Sequence, residues 1–135
     1  MVRQFLLTLT MATALFSVSA FGHHSFAAEF DRAKPVTLEG VVTKVEWTNP
    51  HARFYVDVKD ALGNVVNWEF ELGSPNALMR SGWTRRSLQP GEKVTVKGSL
   101  AKDGAHLANA SSIVKEDGKS VLSGASSGDT ATAAK

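Results

Sequence analysis

The chain has 135 residues, with 15 Lys and Arg against 13 Asp and Glu, four His and no Cys. That length bounds it at one domain once removable ends are set aside, and the missing cysteines exclude disulfides, thiolate metal sites and a lipid-anchored lipoprotein. The small basic excess carries no nucleic-acid signal.

Residues 1–22 read as a secretory signal. Met1-Val2-Arg3 is a short positive start, Phe5 to Phe16 is an apolar run, and Ser17 to Gly22 supplies small residues for cleavage. The run is shorter than the roughly 20 apolar residues needed to span a bilayer. Cleavage after Ala20 frees Phe21, and cleavage after Gly22 frees His23. Either gives a periplasmic or secreted protein with no membrane anchor. Arg3 is the one charged residue removed, so the remainder holds 14 basic and 13 acidic residues, net +1.

Residues 23–35 read as an N-terminal arm. Phe26 and Phe30 lie four apart, as in one helical turn or in an arm whose phenylalanines plug a barrel end. The arm is favoured because Pro35 stops a helix at Lys34 or earlier. A barrel domain is expected over 36–116. Its first strand runs from Val36 to Trp47, with inward parity switching at Gly40-Val41, the mark of a bulge or tight bend. Thr48-Asn49-Pro50 is a corner. Ala52, Phe54, Val56 and Val58 alternate with polar residues as a second strand, and Val66, Trp68, Phe70 and Leu72 do so as a third. Ser74 as N-cap and Pro75 as first helical residue start a short helix, which Gly82 stops. A fourth strand covers Val94 to Leu100, and a poorly alternating fifth covers Leu107 to Val114. Residues 117–135, rich in Ser, Gly, Ala and Thr, read as a disordered tail.

The expected fold is therefore all-β with one short helix: a small five-stranded OB-like barrel in the order β-β-β-α-β-β. A plain five-stranded sandwich is the alternative. Barrels of the OB class bind on strands two and three and on the loops joining strands one to two and four to five.

Several stretches together resemble one known family. They are His23-His24-Ser25-Phe26-Ala27-Ala28-Glu29-Phe30-Asp31; Leu38-Glu39-Gly40 leading to Trp47-Thr48-Asn49-Pro50-His51; and Trp68-Glu69, Ser74-Pro75-Asn76, Gly82-Trp83 and Leu88-Gln89-Pro90-Gly91. The chain is similar to the exported bacterial family known as domain of unknown function 6152. The resemblance implies an exported small β-barrel and no activity.

Three constellations could carry chemistry. The first is the histidines. His51 follows the corner, His106 lies at the loop between strands four and five, and His23 and His24 sit on the arm. Imidazole suits copper, zinc and nickel, and three histidines with an open position make a known zinc arrangement. A new terminus at Phe21 would make Phe21-Gly22-His23 a square-planar chelate for Cu(II) or Ni(II). A terminus at His23 would offer an amine and a ring, with His51 as third ligand. Against these stands the plain reading of exposed polar residues on an arm and a corner histidine that donates a hydrogen bond.

The second is the face of strands two and three. Arg53, Tyr55 and Asp57 stand beside Asn67, Glu69 and Glu71. Three carboxylates repel a phosphate backbone, so nucleic acid is not an expected partner. Cross-strand pairing of Arg53 with Glu69 or Glu71 on a solvated face is the plain reading. Glu69 with Glu71 could be written as an acid/base pair, though nothing in the sequence raises a pKa there. The third is the tryptophans: Trp47 and Trp83 border the corner and the helix end, where aromatics line a pocket or close the core.

These readings converge on a non-enzymatic exported binding or accessory module. Its site would be the mouth formed by the arm, the corner and the fourth-to-fifth-strand loop, lined by Trp47, Asn49, Pro50, His51, Arg53, Tyr55, Glu69 and Trp83. Its partner would be a small ligand, a metal ion or another exported protein. The alternative is a periplasmic copper-binding protein using His23, His24, His51 and His106, with a copper-dependent oxidase as a third class.

Overall fold

The computed structural model describes residues 26–123. The signal segment, His23, His24 and residues 124–135 lie outside the described residues. The elements are α1 (Phe26–Glu29), β1 (Phe30–Glu46), β2 (Arg53–Lys59), β3 (Val65–Glu71), α2 (Pro75–Arg80), β4 (Lys93–Ala101), β5 (Leu107–Lys115) and β6 (Ser120–Ser123). The sheet runs β3-β2-β1-β4-β5-β6, and β3 also pairs with β5. Five strands thus close a ring, β1-β2-β3-β5-β4 and back to β1. All its pairings are antiparallel except β3 with β5. The element order β-β-β-α-β-β expected from the sequence is present, with α1 before it and β6 after it.

β1 makes the ring possible. It is 17 residues long; its first part pairs with β4 and its last part with β2. The two ladders overlap at Gly40, which faces Val58 on one side and Val94 on the other. There a Cβ would lie 2.2 Å from the Asp57 carbonyl oxygen. Gly40 therefore serves a close backbone approach. The parity switch lies elsewhere: a register shift between Val42 and Lys44 leaves Thr43 as an extra residue. Val36, Leu38 and Val42 face inward before this bulge, and Val45 and Trp47 after it, while Val41 is exposed.

The core is built from the alternating residues of β2 and β3. Phe54 and Phe70, both with no exposed surface, stack at 5.1 Å between ring centres. Val42, Val56, Val94, Val96 and Ile113 surround them, and α2 with its following turn adds Leu78, Trp83 and Leu88. Ser74 caps α2, its side-chain oxygen accepting the Ala77 amide at 3.2 Å, with Pro75 at the first position.

Three boundaries differ from the sequence reading. Residues 26–29 form a helical turn, and the strand starts at Phe30 and continues through Pro35. Pro35 is tolerated because the ladder to β4 is irregular between Phe30 and Pro35. Phe30 is buried, but outside the main core cluster, and Phe26 is half-buried against it. The ordered chain also extends past 116: β6 pairs with β5 and buries Leu122.

Candidate functional site

The corner between β1 and β2 is fastened to the far end of β3. Ala52 donates its amide to the Gly73 carbonyl at 3.0 Å and accepts the Leu72 amide at 2.8 Å. The Asn49-Pro50 peptide within the corner is cis. This fastening sets His51 beside the end of β3, where its Nδ1 lies 3.0 Å from the Leu72 carbonyl oxygen. A carbonyl only accepts, so Nδ1 carries the proton and Nε2 is the acceptor nitrogen of the neutral ring. The same Nδ1 is 3.7 Å from Glu71 Oε1.

Glu71 is the centre of the arrangement. By parity it points away from the core, yet it is only 5% exposed. Arg53 faces it across the β2–β3 ladder, and Asn109, 2% exposed, faces it across the parallel β3–β5 ladder. Arg53 donates to Glu69 at 2.7 Å and reaches Glu71 only at 3.7 Å. Burial pushes the Glu71 carboxyl above the usual carboxylate range. The nearby His51 opposes that rise, Glu29 adds to it, and Arg53 and a hydrogen bond with Asn109 oppose it. The net direction is up. Glu71 therefore holds its proton to a higher pH than an exposed glutamate does.

Next to Arg53 opens a cleft of about 440 Å³, lined by Ala28, Glu29, Arg53, Lys102 and Asp103. It joins three separate stretches: α1, the residue that starts β2, and the turn between β4 and β5. The turn holds α1 in place. Lys102 donates its backbone amide to the Glu29 carbonyl at 2.9 Å and its side chain to the Ala27 carbonyl. Asp103 is fixed in turn by accepting the Ala105 amide at 2.9 Å. The cleft thus offers carboxylate acceptors and cationic donors side by side.

The structure brings Arg53 to Glu69 and sets His51 beside Glu71, and it leaves other expected residues apart. Asn49 and Pro50 are exposed on the corner, and Trp47 is half-buried against the core. Tyr55 donates to Glu46 at 3.2 Å under Lys44, part of the internally paired face. Trp83, expected at the mouth, is 6% exposed and belongs to the core, because the turn after α2 folds it inward. His106 and His51 have different neighbours along β3. Its ring packs 5.0 Å from that of Trp68, and its carbonyl accepts the Glu69 amide. His51 is held at Leu72, three strand residues or roughly 10 Å further along. Among the described residues, no three of His, Asp and Glu gather to hold a metal.

Sequence reasoning weighed Glu71 only on a solvated face or as an acid/base partner of Glu69 and missed its burial; it missed Lys102, Asp103 and Asn109 as site residues. A signal did exist for two of them. Glu71 stands between Phe70 and Leu72, and Asn109 between Ala108 and Ala110; a polar residue inside an apolar run is worth inspecting as a buried one.

The model of a family of unknown function, DUF6152, matches residues 12–110. The chain belongs to that family. No curated protein and no solved structure is a match. For DUF6152 the matched span includes the corner, His51, Arg53, Glu69, Glu71, Asn109 and every residue lining the cleft. The end of β5 and all of β6 lie beyond it.

Proposed function

We propose that this chain is an exported, non-catalytic module that binds a small polar ligand in the cleft between α1, Arg53 and the β4–β5 turn. The observation that carries this reading is the cleft itself. Three stretches distant in sequence meet around a volume within the ~300–1,000 Å³ range of small-molecule sites, and one lining residue, Arg53, also reaches the buried Glu71 carboxylate at 3.7 Å. The β4–β5 turn is one of the two loops by which OB-class barrels take ligands, and Arg53 follows the other. Glu29 and Asp103 suit donors on the ligand, and Arg53 and Lys102 suit acceptors. Export is supported by the positive start, the apolar run and the small residues before His23.

The test uses the full-length chain with its own leader, recovered from the periplasm without a tag. Intact mass reads the terminus. Ligand-detected NMR against a panel of small amino acids, amines, carboxylates and sugars should then yield a binder, lost in Arg53→Ala and in Asp103→Ala. A panel with no binder, or one whose binder ignores both substitutions, refutes the reading.

Copper binding is the second reading, favoured by one observation. His51 donates Nδ1–H to a backbone carbonyl, the arrangement that orients a metal-binding imidazole through Nε2. Cu(II) titration of the same untagged protein decides it. Affinity equal to that of a His23→Ala/His51→Ala variant ends this reading.

A further inference from the structure

A second cleft, of about 250 Å³, lies between the turn that follows α2 and the β5–β6 hairpin. Arg86 and Ser87 line it from the turn, Lys115, Lys119 and Ser120 from the hairpin, and Trp83 from within. It shares no residue with the cleft of the proposed function.

The turn that carries Arg86 is held firmly. Trp83 and Leu88 anchor its two ends in the core. Thr84 donates its amide to Ser87 Oγ at 2.9 Å, Arg86 donates its amide to Thr84 Oγ1 at 3.1 Å, and Gln89 Nε2 donates to the Arg85 carbonyl at 2.7 Å. Because Ser87 Oγ is the acceptor of the Thr84 amide, its own proton remains to be donated. The hairpin is equally defined. Lys115 and Lys119 flank its turn, with the Lys115 amide donating to the Lys119 carbonyl and the Gly118 amide to the Lys115 carbonyl, both at 2.9 Å. Two lysines facing each other across a hairpin repel.

The acids nearby are already engaged. Glu92 takes Lys115 at 2.7 Å, and Glu116 takes Lys93 at 3.0 Å. Asp117 accepts the Lys119 amide at 2.9 Å. Among the described residues, neither Arg86 nor Lys119 is in an ion pair. Near the end of α2, whose carbonyls would disfavour an anion, those of Ala77, Leu78 and Met79 are met by the Ser81, Gly82 and Trp83 amides. Two unneutralised cations therefore face a concave space together with a hydroxyl donor. A planar guanidinium beside an ammonium suits a tetrahedral oxyanion, the first by a forked pair of hydrogen bonds and the second as a point charge.

We infer that this cleft is an oxyanion site that takes a phosphate or phosphomonoester group between Arg86 and Lys119, with Ser87 as an additional donor. Such a group reaches the protein either free in solution or as a lipid headgroup, and the chemistry is the same.

The test is calorimetric titration of the exported full-length chain with inorganic phosphate at low ionic strength. Acetate is the comparator, and vesicles containing phosphatidic acid, a phosphomonoester lipid, form a parallel arm. Saturable phosphate binding is expected, tighter than acetate and weakened by salt. Arg86→Ala/Lys119→Ala should weaken it at least fivefold, since two charge-assisted hydrogen bonds are removed. Arg86→Lys should retain part of the affinity, and Lys34→Ala/Lys59→Ala, of equal charge change elsewhere, all of it. An unchanged circular dichroism spectrum shows that each variant is folded. Binding to vesicles but not to free phosphate, with the same dependence on Arg86 and Lys119, identifies a headgroup as the source. Binding to neither, acetate as tight as phosphate, or a loss under fivefold in the double variant overturns the assignment.

Discussion

Gly40→Ala tests the crossing on which the ring depends. The new methyl would stand 2.2 Å from the Asp57 carbonyl oxygen, 2.9 Å from its carbon and 2.8 Å from Val56 Cγ1. The valine can rotate, but the carbonyl belongs to the β2 backbone. Moving it away means parting β1 from β2, and β1 cannot retreat because Gly40 is also paired with Val94 of β4. Overpacking that side chains can absorb costs about 1–3 kcal/mol. This one falls on two backbones held from both sides, so a loss of about 3 kcal/mol or more is expected. For a domain of this size each kcal/mol moves the melting temperature by roughly 4–8 °C, which predicts a drop of about 12 °C or more in thermal unfolding followed by far-UV circular dichroism. Gly63→Ala is the contrast. Gly63 has φ +85° with open space around it, so the cost there is that of a left-handed alanine, about 1–2 kcal/mol. If Gly40→Ala falls by less than Gly63→Ala, the steric argument is wrong.

Glu71→Gln should change the pH dependence of stability. Burial holds the folded carboxyl above its ordinary value of 4.5, so between that value and the folded one the native state binds more protons than the unfolded chain. The contribution is present in full below 4.5 and is lost as pH rises through the folded value. The variant should therefore gain on the wild type in urea unfolding between pH 4 and pH 7; a difference that is constant or shrinks contradicts the assignment. Phe70→Ala removes half of the central stacked pair and should cost about 3–5 kcal/mol, read in the same denaturant assay, where a loss under 2 would show a core that collapses around the gap. Ser74→Ala removes the cap of α2 and should cost about 1 kcal/mol; no change in melting temperature would mean that Pro75 and packing alone hold that helix.

The parts of the fold legible in the sequence are those where one face is buried and the other solvated. Phe54, Val56 and Val58 announce β2 because the residues between them meet water. β5 is obscure for the opposite reason: Ala108, Asn109 and Ala110 are all buried, so alternation has nothing to report. The early start of β1 left no trace either, because Arg32, Ala33, Lys34 and Pro35 are exposed and only Phe30 and Pro35, at the two ends of that stretch, pair with β4. Among the described side chains of β6, Leu122 is the one that is buried. The site divides in the same way. Arg53 with Glu69 follows from cross-strand geometry, and the place of His51 follows from the corner. That Glu71 is buried depends on Asn109 of β5 beside it, with His51 and Glu29 close by, and no local pattern records such a meeting. Nor does a pattern say that Trp83 folds inward while Trp47 stays half-buried.

The pairing of β3 with β5 covers only Glu69 to Glu71 against Leu107 to Asn109. Before Glu69, β3 has no partner on that side among the described residues, and β6 takes up the later part of β5. The ring therefore has a seam. Along it, amides of Val65 to Trp68 and of β6 should exchange with solvent through small local openings, while those of β1 around Gly40, bonded on both sides, should exchange only when the whole domain unfolds. Glu71 sits at the closed end of that seam, so a proton or a ligand arriving at its carboxylate acts on the three residue pairs that close the ring.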